Sequence, residues 1–438
     1  MSGKDLISGN VSYDGGRLTF AGMDVGKIAD EYGTPAYLYD ENRIIDNCRM
    51  YNRAMKEAFG EGSLTAYAGK AAAFGYMYKI MSREGMAADL VSIGELYTAS
   101  AAGFDMKNAY FHGNAKTDEE ISEALRLGVG CFVVDNPDEL SVLDDMARKR
   151  GINQKILLRI TPGIDPHTYE AVSTGKVDSK FGVPIATGQA AEFVKSALVA
   201  PNLALIGYHC HVGSLVFDTE SSVYTDAARV MLDFSRDMRE LFGYAPEYIS
   251  LGGGYGVRYV SSDPQVDIPK NIERLAEFMK CHSTEIGLPM PKVITEPGRS
   301  IVADAGMTVY TVGSVKNVKG YKTYVAVDGG MTDNPRYALY RSSYTVVPAI
   351  ESDEKMICDV VGKCCESGDI IQPGVSLPAS TRRGDRIAVL TTGAYNYSMA
   401  SNYNRIPRPP VVMIKDGETM LAVRRETPAD VAALDLLI

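Results

Sequence analysis

The chain has 438 residues, of which 45% are hydrophobic and 23% are charged, and its formal net charge is -10 at pH 7. This length exceeds what one hydrophobic core usually covers, so we expect two domains of an ordinary globular composition. The negative charge disfavours nucleic acid or an anionic membrane as a partner and favours a small-molecule ligand.

The N-terminal residues MSGKDLISGN lack the apolar segment of a signal peptide. No run of about 18 or more apolar residues follows, so we expect a cytoplasmic protein. The seven cysteines form an odd set without a CxxC pair. This pattern favours reduced thiols over a disulfide framework, and one of the thiols can still be chemically active.

The middle of the chain repeats a short apolar run, a polar or glycine-rich turn and usually a helical pattern. Eight such runs occur: LTAYA (64–68), ADLV (88–91), AYFH (109–112), CFVV (131–134), KILLRI (155–160), LALIGYH (203–209), YISL (248–251) and KVIT (292–295). Helix-start signatures follow three runs, namely Ser92 with Glu95, Thr117 with Glu120, and Asn136 before Pro137 with Glu139. Eight βα units predict a TIM (β/α)8 barrel, which we place at residues 36–304.

After about residue 305 the sequence predicts strands without intervening helices. The runs are TVYTVGSV, TYVAVDGG, DRIAVLTTG and VVMIKDGETMLAV, the last with Asp416-Gly417 as a hairpin turn. Residues 1–35 also alternate in short strand-like pieces. We therefore predict an antiparallel β domain, a barrel or sandwich formed by residues 1–35 and 305–438, packed rigidly on the TIM barrel.

Catalytic groups of a TIM barrel lie at the C-terminal ends of its strands. The first strand leads to Lys70, whose flanks AYAG and AAAFG are apolar. Such a setting lowers the pKa of an ammonium group, as a Schiff-base lysine requires, although a lone lysine at a strand end is usually a solvated surface residue. The sixth strand ends at His209 and His211, which allow zinc ligation, two structural histidines, or a ring stacked on a cofactor.

Residues that can bind an anion or a cofactor follow the last two predicted strands. Gly252, Gly253 and Gly254 follow strand seven and let backbone N–H groups approach a phosphate, although such a run is more often a tight turn. Glu296 and Arg299 follow strand eight, where a surface ion pair is the plain alternative. Together with Lys70, these groups fit pyridoxal phosphate, because a carboxylate can keep its ring nitrogen protonated and an arginine can bind phosphate or a substrate carboxylate.

These motifs resemble the group IV pyridoxal-phosphate decarboxylases of the alanine-racemase fold, and most closely the diaminopimelate decarboxylases. The resemblance extends from the residues YGTPAY (32–37) to SMASNYN (398–404). It implies a pyridoxal 5'-phosphate cofactor and a homodimer with shared active sites. The implied reaction converts meso-2,6-diaminopimelate to L-lysine and carbon dioxide, by attack at the D-configured centre, as the last step of lysine biosynthesis.

The resemblance also implies a role for each residue in a matching motif. The implied cofactor ligands are Lys70 of YAGK as the Schiff-base lysine, His211 of HVGS stacked on the ring, Ser214 with Gly252, Gly253 and Gly254 at the phosphate, Glu296 of EPGR at the pyridine nitrogen, Arg299 near phosphate and substrate, and Tyr395 of GAY beside the phosphate. No metal is implied. Cys365 of CESGD is implied as the proton donor, inserted with Glu366 into the site of the partner subunit.

The chemistry of the possible substrates distinguishes diaminopimelate from ornithine-type substrates. Diaminopimelate carries a second amino-carboxylate, so its pocket needs a cation and an acceptor that a diamine-forming decarboxylase does not need. Arg299, Arg336 and Tyr340 can supply donors, together with Tyr395, and Glu366 can accept the distal ammonium. The segment RYALY (336–340) departs from the commoner RPALY form by one tyrosine, yet keeps the arginine and the last tyrosine.

Other classes of function remain open at this stage. An ornithine- or arginine-type decarboxylase, or an amino acid racemase, would share the barrel and the cofactor. A non-catalytic binding protein on this fold would tend to lose the lysine or the cysteine, and both are present. A metal-dependent barrel hydrolase fits the motifs least well.

Overall fold

The computed structural model describes residues 6–7, 9–164 and 178–436. The residues outside this description are 1–5, 8, 165–177 and 437–438. The parts of the predicted domains that fall on them are therefore not described either. The chain divides into a barrel unit (residues 47–256 and 265–298) and a β unit (1–46, 257–264 and 299–438). None of the helices in the described ranges combines the length and apolar character needed to cross a membrane.

The described elements are numbered in chain order. The strands are β1 (Val11–Asp14), β2 (Arg17–Phe20), β3 (Met23–Asp24), β4 (Ala36–Asp40), β5 (Leu64–Ala68), β6 (Ala87–Leu90), β7 (Ala109–Phe111), β8 (Cys131–Val134), β9 (Gln154–Thr161), β10 (Val183–Pro184), β11 (Leu203–His209), β12 (Tyr248–Ser250), β13 (Lys292–Thr295), β14 (Gly306–Val318), β15 (Lys322–Val327), β16 (Val346–Pro348), β17 (Lys355–Val361), β18 (Ile370–Pro378), β19 (Arg386–Leu390), β20 (Val411–Lys415) and β21 (Glu418–Val423). The helices are α1 (Val25–Tyr32), α2 (Glu41–Phe59), α3 (Gly75–Arg83), α4 (Ile93–Ala101), α5 (Asp118–Leu127), α6 (Pro137–Arg150), α7 (Gln189–Leu198), α8 (Ser222–Phe242), α9 (Ile268–Glu285), α10 (Arg299–Val302), α11 (Arg336–Tyr340) and α12 (Pro428–Ala432).

The barrel unit contains a closed parallel barrel. Its strand order is β5, β6, β7, β8, β9, β11, β12 and β13, and β13 pairs with β5 to close the ring. These eight strands coincide with the eight predicted runs, so the predicted TIM barrel is confirmed. The short strand β10 adds to β9 outside the ring. Small and apolar side chains such as Ala66, Leu157 and Ile294 fill the interior, as a packed barrel requires.

Three predicted helix starts are confirmed by their caps. Ser92 accepts a hydrogen bond from the backbone N–H of Glu95 at the start of α4. Thr117 and Glu120 form a reciprocal capping box at α5. Asn136 caps α6 in front of its first-turn proline. Each cap satisfies a backbone donor that the first helical turn leaves unpaired.

The β unit is mostly antiparallel, with the strand order β18, β17, β15, β14, β4, β20 and β21. Asp416 and Gly417 both have positive φ and join β20 to β21, so the predicted hairpin is confirmed. Two pairings, β15 with β17 and β4 with β20, are parallel, which differs from the expected antiparallel arrangement. The short helix α11 also interrupts the region predicted to contain strands alone.

The N-terminal segment belongs to the β unit, where Leu18, Phe20 and Ile28 share a core with Met307 and Val412. It contains helix α1 besides three short strands, because Asp24 caps the backbone N–H groups of the first helical turn. The structure also differs from the domain boundary drawn between residues 35 and 36. Strand β4 begins at residue 36 and pairs with β14 and β20, so it is a strand of the β unit.

Candidate active site

Lys70 lies two residues beyond the end of β5, in a short 3-10 turn. Its side chain is about half exposed, and its Nζ is 4.0 Å from the carboxylate of Asp89, which is buried on β6. Burial raises the pKa of Asp89 to about 7, Lys70 opposes this shift, and Glu296 adds to it. The lysine predicted from its apolar flanks therefore has an acidic neighbour that those flanks do not reveal.

Glu296 follows the end of β13 and is held by two donors. Its Oε2 is 3.0 Å from Nε2 of His209, and its Oε1 accepts a 2.7 Å hydrogen bond from the hydroxyl of Ser250. His209 and Ser250 are the last residues of β11 and β12, so neighbouring barrel strands converge on one carboxylate. The geometry fixes the direction in which this buried acid points.

Histidines adjoin Glu296 on two sides. Nε2 of His112 lies 3.7 Å from Glu296 and 3.6 Å from Asp89, and the His112 ring meets that of His209 edge to face at 4.9 Å. Burial lowers the pKa of both histidines, and the neighbouring Glu296 opposes this shift. Burial acts to raise the pKa of Glu296, but the histidines and the Ser250 hydroxyl outweigh it and hold that pKa well below its usual range. The result is an ionised carboxylate inside the barrel.

The predicted glycine run packs closely against two other loops. A Cβ on Gly253 would lie 2.0 Å from the carbonyl oxygen of Glu296, and one on Gly254 would lie 2.2 Å from that of Gly213. A Cβ on Gly252 would lie 2.3 Å from Nδ1 of His211. Burial lowers the pKa of His211 to about 3. Only glycine fits here. The loop therefore brings backbone groups next to the segment that ends in Ser214.

These features fit pyridoxal phosphate. The cofactor needs a lysine for covalent attachment, a close-packed backbone loop for its phosphate and an anionic group for its ring nitrogen, and the barrel unit offers all three. The buried Nε2 of His112 also has no hydrogen-bond partner among the described residues.

The histidines are arranged differently from the zinc pair considered from sequence. His209 faces His112 and Glu296, and ligand atoms of these three residues lie within 4.8 Å of one another. His211 is not part of that group. The hydrogen bond from His209 to Glu296 accounts for the arrangement without a metal ion.

The predicted substrate residues of the β unit form a second cluster. Arg336 is 4% exposed and faces the rings of Tyr340 and Tyr395 at 5.6 and 5.3 Å. Arg299 is 5% exposed, and its guanidinium lies 4.7 Å from the Tyr395 ring. Tyr259, absent from the predicted set, accepts a 2.7 Å hydrogen bond from Arg299. The β unit thus holds two buried cations among aromatic rings.

Cys365 and Glu366 lie on an exposed loop of the β unit. The carboxylate of Asp369 fixes this loop by accepting hydrogen bonds from the backbone N–H groups of Cys364 and Met331, at 2.7 and 2.6 Å. The loop is therefore tied to the segment that leads to Arg336. Cys365 itself is exposed in the single chain.

Sequence reasoning missed four polar residues of these clusters. They are Asp89, His112, Ser250 and Tyr259. His112 ends the predicted run AYFH, Ser250 is the last residue but one of YISL, and Asp89 lies inside ADLV. A reading of every polar residue in the second half or at the end of a run would have found His112 and Ser250 but not Asp89. Tyr259 offers no such signal, because it lies on the segment 257–264, which leaves the barrel unit and joins the β unit.

Comparison with known proteins identifies the family. Residues 43–303 match the model of the pyridoxal-binding domain of pyridoxal-dependent decarboxylases. The chain is 43% identical to a diaminopimelate decarboxylase of Bacillus subtilis, over 96% of this chain and 95% of the relative. It aligns with the diaminopimelate decarboxylase from M. jannaschii, solved in complex with L-lysine, at a TM-score of 0.90 and 33% identity, covering 100% of this chain and 99% of that one. The corresponding enzyme of Helicobacter pylori, also solved with L-lysine, gives a TM-score of 0.85 and 31% identity, covering 94% and 99%. The chain therefore belongs to the diaminopimelate decarboxylase family of pyridoxal-dependent decarboxylases.

Proposed function

We propose that this protein decarboxylates meso-2,6-diaminopimelate to L-lysine and carbon dioxide with pyridoxal phosphate, as the last step of lysine biosynthesis in the cytoplasm. The observation that carries the proposal is the buried carboxylate of Glu296, held by His209 and Ser250 in a barrel whose first strand leads to Lys70. A decarboxylase of this kind needs such a fixed negative charge at the ring nitrogen of its cofactor.

The cofactor residues are those of the barrel cluster and its neighbours along the chain. Lys70 attaches the cofactor, His211 packs on its ring, and Glu296 binds its ring nitrogen. The proposed phosphate ligands are Ser214, Gly252, Gly253, Gly254, Arg299 and Tyr395. When bound, pyridoxal phosphate supplies an electron sink for the electrons that the departing carboxylate leaves behind.

Glu296 acts by keeping its charge throughout the reaction. His209 donates Nε2–H to one oxygen and Ser250 donates its hydroxyl hydrogen to the other, so neither oxygen is free to turn away. Because both partners donate hydrogen bonds to the ionised form, they favour it over the protonated form. The proton on the ring nitrogen is then held in place by a carboxylate that does not itself need to take it.

Charged side chains bind the distal amino and carboxylate groups of the substrate. Arg336 binds the distal carboxylate, with Arg299, Tyr340 and Tyr395 as further donors, and Glu366 accepts the distal ammonium. A buried guanidinium among tyrosine rings gains most from an anionic ligand, because water is largely excluded there. This set favours diaminopimelate over ornithine, which lacks the second carboxylate.

Cys365 returns the proton to the α-carbon after carbon dioxide leaves. We place this step in a homodimer, in which Cys365 and Glu366 of one subunit serve the Lys70 site of the other. The exposure of Cys365 in the single chain supports this proposal, since a proton donor for a partner must be accessible on the surface of its own subunit.

A comparison of substrates tests the proposed function. Purified protein loaded with pyridoxal phosphate is given meso-diaminopimelate, L-ornithine or L-arginine in separate reactions, and amine products and carbon dioxide are quantified. We expect L-lysine from diaminopimelate at a kcat/KM far above those for the other two substrates. Putrescine or agmatine as the main product would indicate a polyamine-forming decarboxylase, and epimerised substrate without carbon dioxide would indicate a racemase.

A further inference from the structure

The guanidinium of Arg336 lies in an unusual environment for a buried cation. The side chain is 4% exposed, and its Nε finds no hydrogen-bond partner among the described residues. The rings of Tyr259, Tyr340 and Tyr395 face it at 5.9, 5.6 and 5.3 Å, and the neutral hydroxyl of Tyr344 is a side-chain hydrogen-bond partner. Its neutral contact with the hydroxyl of Ser342 is long, at 3.4 Å. Aromatic rings orient such a cation without neutralising it, so its charge remains available to an anion.

Tyr259 contacts both buried arginines of the β unit. Its hydroxyl oxygen accepts a 2.7 Å hydrogen bond from Nη1 of Arg299. Its ring centre lies 5.8 Å from the guanidinium carbon of Arg299 and 5.9 Å from that of Arg336. One side chain therefore sets the position of one arginine by a hydrogen bond and borders the other with its ring.

The position of Tyr259 is itself fixed from several sides. The side chain of Asp263 accepts hydrogen bonds from the backbone N–H groups of Tyr259 and Val260, at 2.8 and 3.0 Å. The hydroxyl of Thr345 donates to the Tyr259 carbonyl oxygen at 2.9 Å. The ring of Tyr344 packs edge to face on the Tyr259 ring at 5.2 Å. Such a held tyrosine can keep two like charges in fixed positions, which a mobile side chain cannot do.

We propose that Tyr259 is a positioning residue that orients Arg299 and Arg336, so that the β unit favours ligands with a carboxylate at the distal end. This inference rests on the proposed function, in which Arg336 binds the distal carboxylate. Tyr259 acts through the arginines and not on the reacting atoms. Its effect is therefore expected on the binding of the carboxylate and not on the covalent attachment of the cofactor at Lys70.

The test uses two ligands that differ by one group. L-lysine and cadaverine are both 1,5-diamines, and lysine alone carries a carboxylate. Their dissociation constants are measured by calorimetry on the holoenzyme, for the wild type and for Tyr259→Phe, which keeps the ring and removes the hydroxyl. Tyr321→Phe is the matched control, because it deletes the same atom from a tyrosine of the β unit that is 87% exposed.

We expect Tyr259→Phe to weaken lysine binding by about ten-fold, the effect of one hydrogen bond to a charged group, and to leave cadaverine binding unchanged. KM for diaminopimelate should rise by a similar factor, with a smaller change in kcat. The control should match the wild type. Equal weakening for both ligands, or unchanged lysine binding, would overturn the proposal.

Two further readouts keep the test decisive. Thr345→Val removes only the hydrogen bond to the Tyr259 carbonyl, so it should shift lysine binding in the same direction by a smaller factor, and it replaces Tyr259→Phe if that variant does not fold. If the proposed function is wrong, the wild-type protein will release no lysine from diaminopimelate, and this result is separate from the two dissociation constants. The two dissociation constants do not depend on turnover, so they test Tyr259 in either case.

Discussion

At the scale of single residues, the barrel site depends on where hydrogen-bond donors meet carboxylates. Glu296 has a donor on each oxygen and stays ionised although it is buried. Oδ1 of Asp89 has no hydrogen-bond partner in the part of the chain that the structure describes, and burial raises the pKa of Asp89 to about 7. The two acids of this cluster therefore differ in charge near neutral pH. Glu296 is a permanent anion, whereas Asp89 can exchange protons.

Arg336→Ala tests the proposed contact with the distal carboxylate. The loss of a charge-assisted pair should cost roughly 2–4 kcal/mol in transition-state binding, measured as the fall in kcat/KM for diaminopimelate. Arg341→Ala is the control, because Arg341 is an exposed arginine only five residues further along the chain. An unchanged kcat/KM in Arg336→Ala would refute the role of this residue.

Asp333 allows a prediction of pH-dependent stability. It is 1% exposed, it accepts hydrogen bonds from Tyr310 and from the backbone N–H of Gly330, and burial raises its pKa to about 7. Because the folded carboxyl keeps its proton above the ordinary aspartate pKa of about 3.9, its contribution to stability is present at low pH and is lost as the pH rises toward 7.

Urea unfolding of wild type and Asp333→Asn at pH 5 and pH 8 measures this effect. The wild type should lose on the order of 2–3 kcal/mol relative to the variant between the two pH values, from about 1.36 kcal/mol for each pKa unit. Asp353→Asn is the control, since Asp353 is exposed. A difference between wild type and Asp333→Asn that is the same at both pH values would contradict the assignment.

Residue roles could be predicted from sequence only where a motif marks them. Lys70 and Glu296 stand beside strand ends in recognisable sequence contexts, and the structure places both in the barrel unit. Ser250 and His112 carry no motif of their own, because their importance comes from the residues of other strands that they contact. Pairing across strands is set by register and closure of the barrel, which the local sequence does not display.

At the scale of elements, the barrel strands were the most predictable feature. Parallel strands buried on both faces are nearly continuous apolar runs, so all eight stand out in the sequence. Strand β17 was missed because its buried residues alternate with partly or fully exposed ones, and β18 because Pro373 and Gly374, which are typical of turns, lie inside it. Helix α1 was missed because it is only eight residues long and follows three short strands.

The glycine loop after β12 allows a matched pair of variants. Gly254→Ala and Gly287→Ala both force an alanine into positive φ, at +113° and +66°, which costs about 1–2 kcal/mol by itself. At Gly254 the added Cβ would also lie 2.2 Å from the carbonyl oxygen of Gly213, which is a steric clash. At Gly287 no heavy atom of the described residues lies within 4 Å of the added Cβ.

Cofactor retention after gel filtration, read from absorbance, distinguishes these two variants. We expect Gly254→Ala to lose pyridoxal phosphate, because its loop must move away from the Gly213 segment, and Gly287→Ala to retain it. Melting temperatures report the cost that both variants share. Equal cofactor retention in the two variants would contradict a role of the loop as a phosphate cradle.

At the scale of the whole molecule, the proposed dimer predicts complementation between inactive chains. Lys70→Ala and Cys365→Ala are mixed under conditions that allow subunit exchange. Half of the dimers should become mixed, and each mixed dimer has one site with both wild-type groups, so activity should approach roughly a quarter of the wild-type value. Mass labelling verifies the exchange. A fully exchanged mixture that stays as inactive as its parents would rule out shared sites.

An assay of product formation decides whether Lys70 serves a decarboxylation of diaminopimelate. Wild type, Lys70→Ala and the control Lys79→Ala, which changes an exposed lysine of the same unit, are loaded with pyridoxal phosphate and given meso-diaminopimelate. We expect lysine and carbon dioxide in equal amounts from wild type and Lys79→Ala, and neither product from Lys70→Ala. A wild type that forms no lysine, or a Lys70→Ala variant that keeps the wild-type rate, would contradict this expectation.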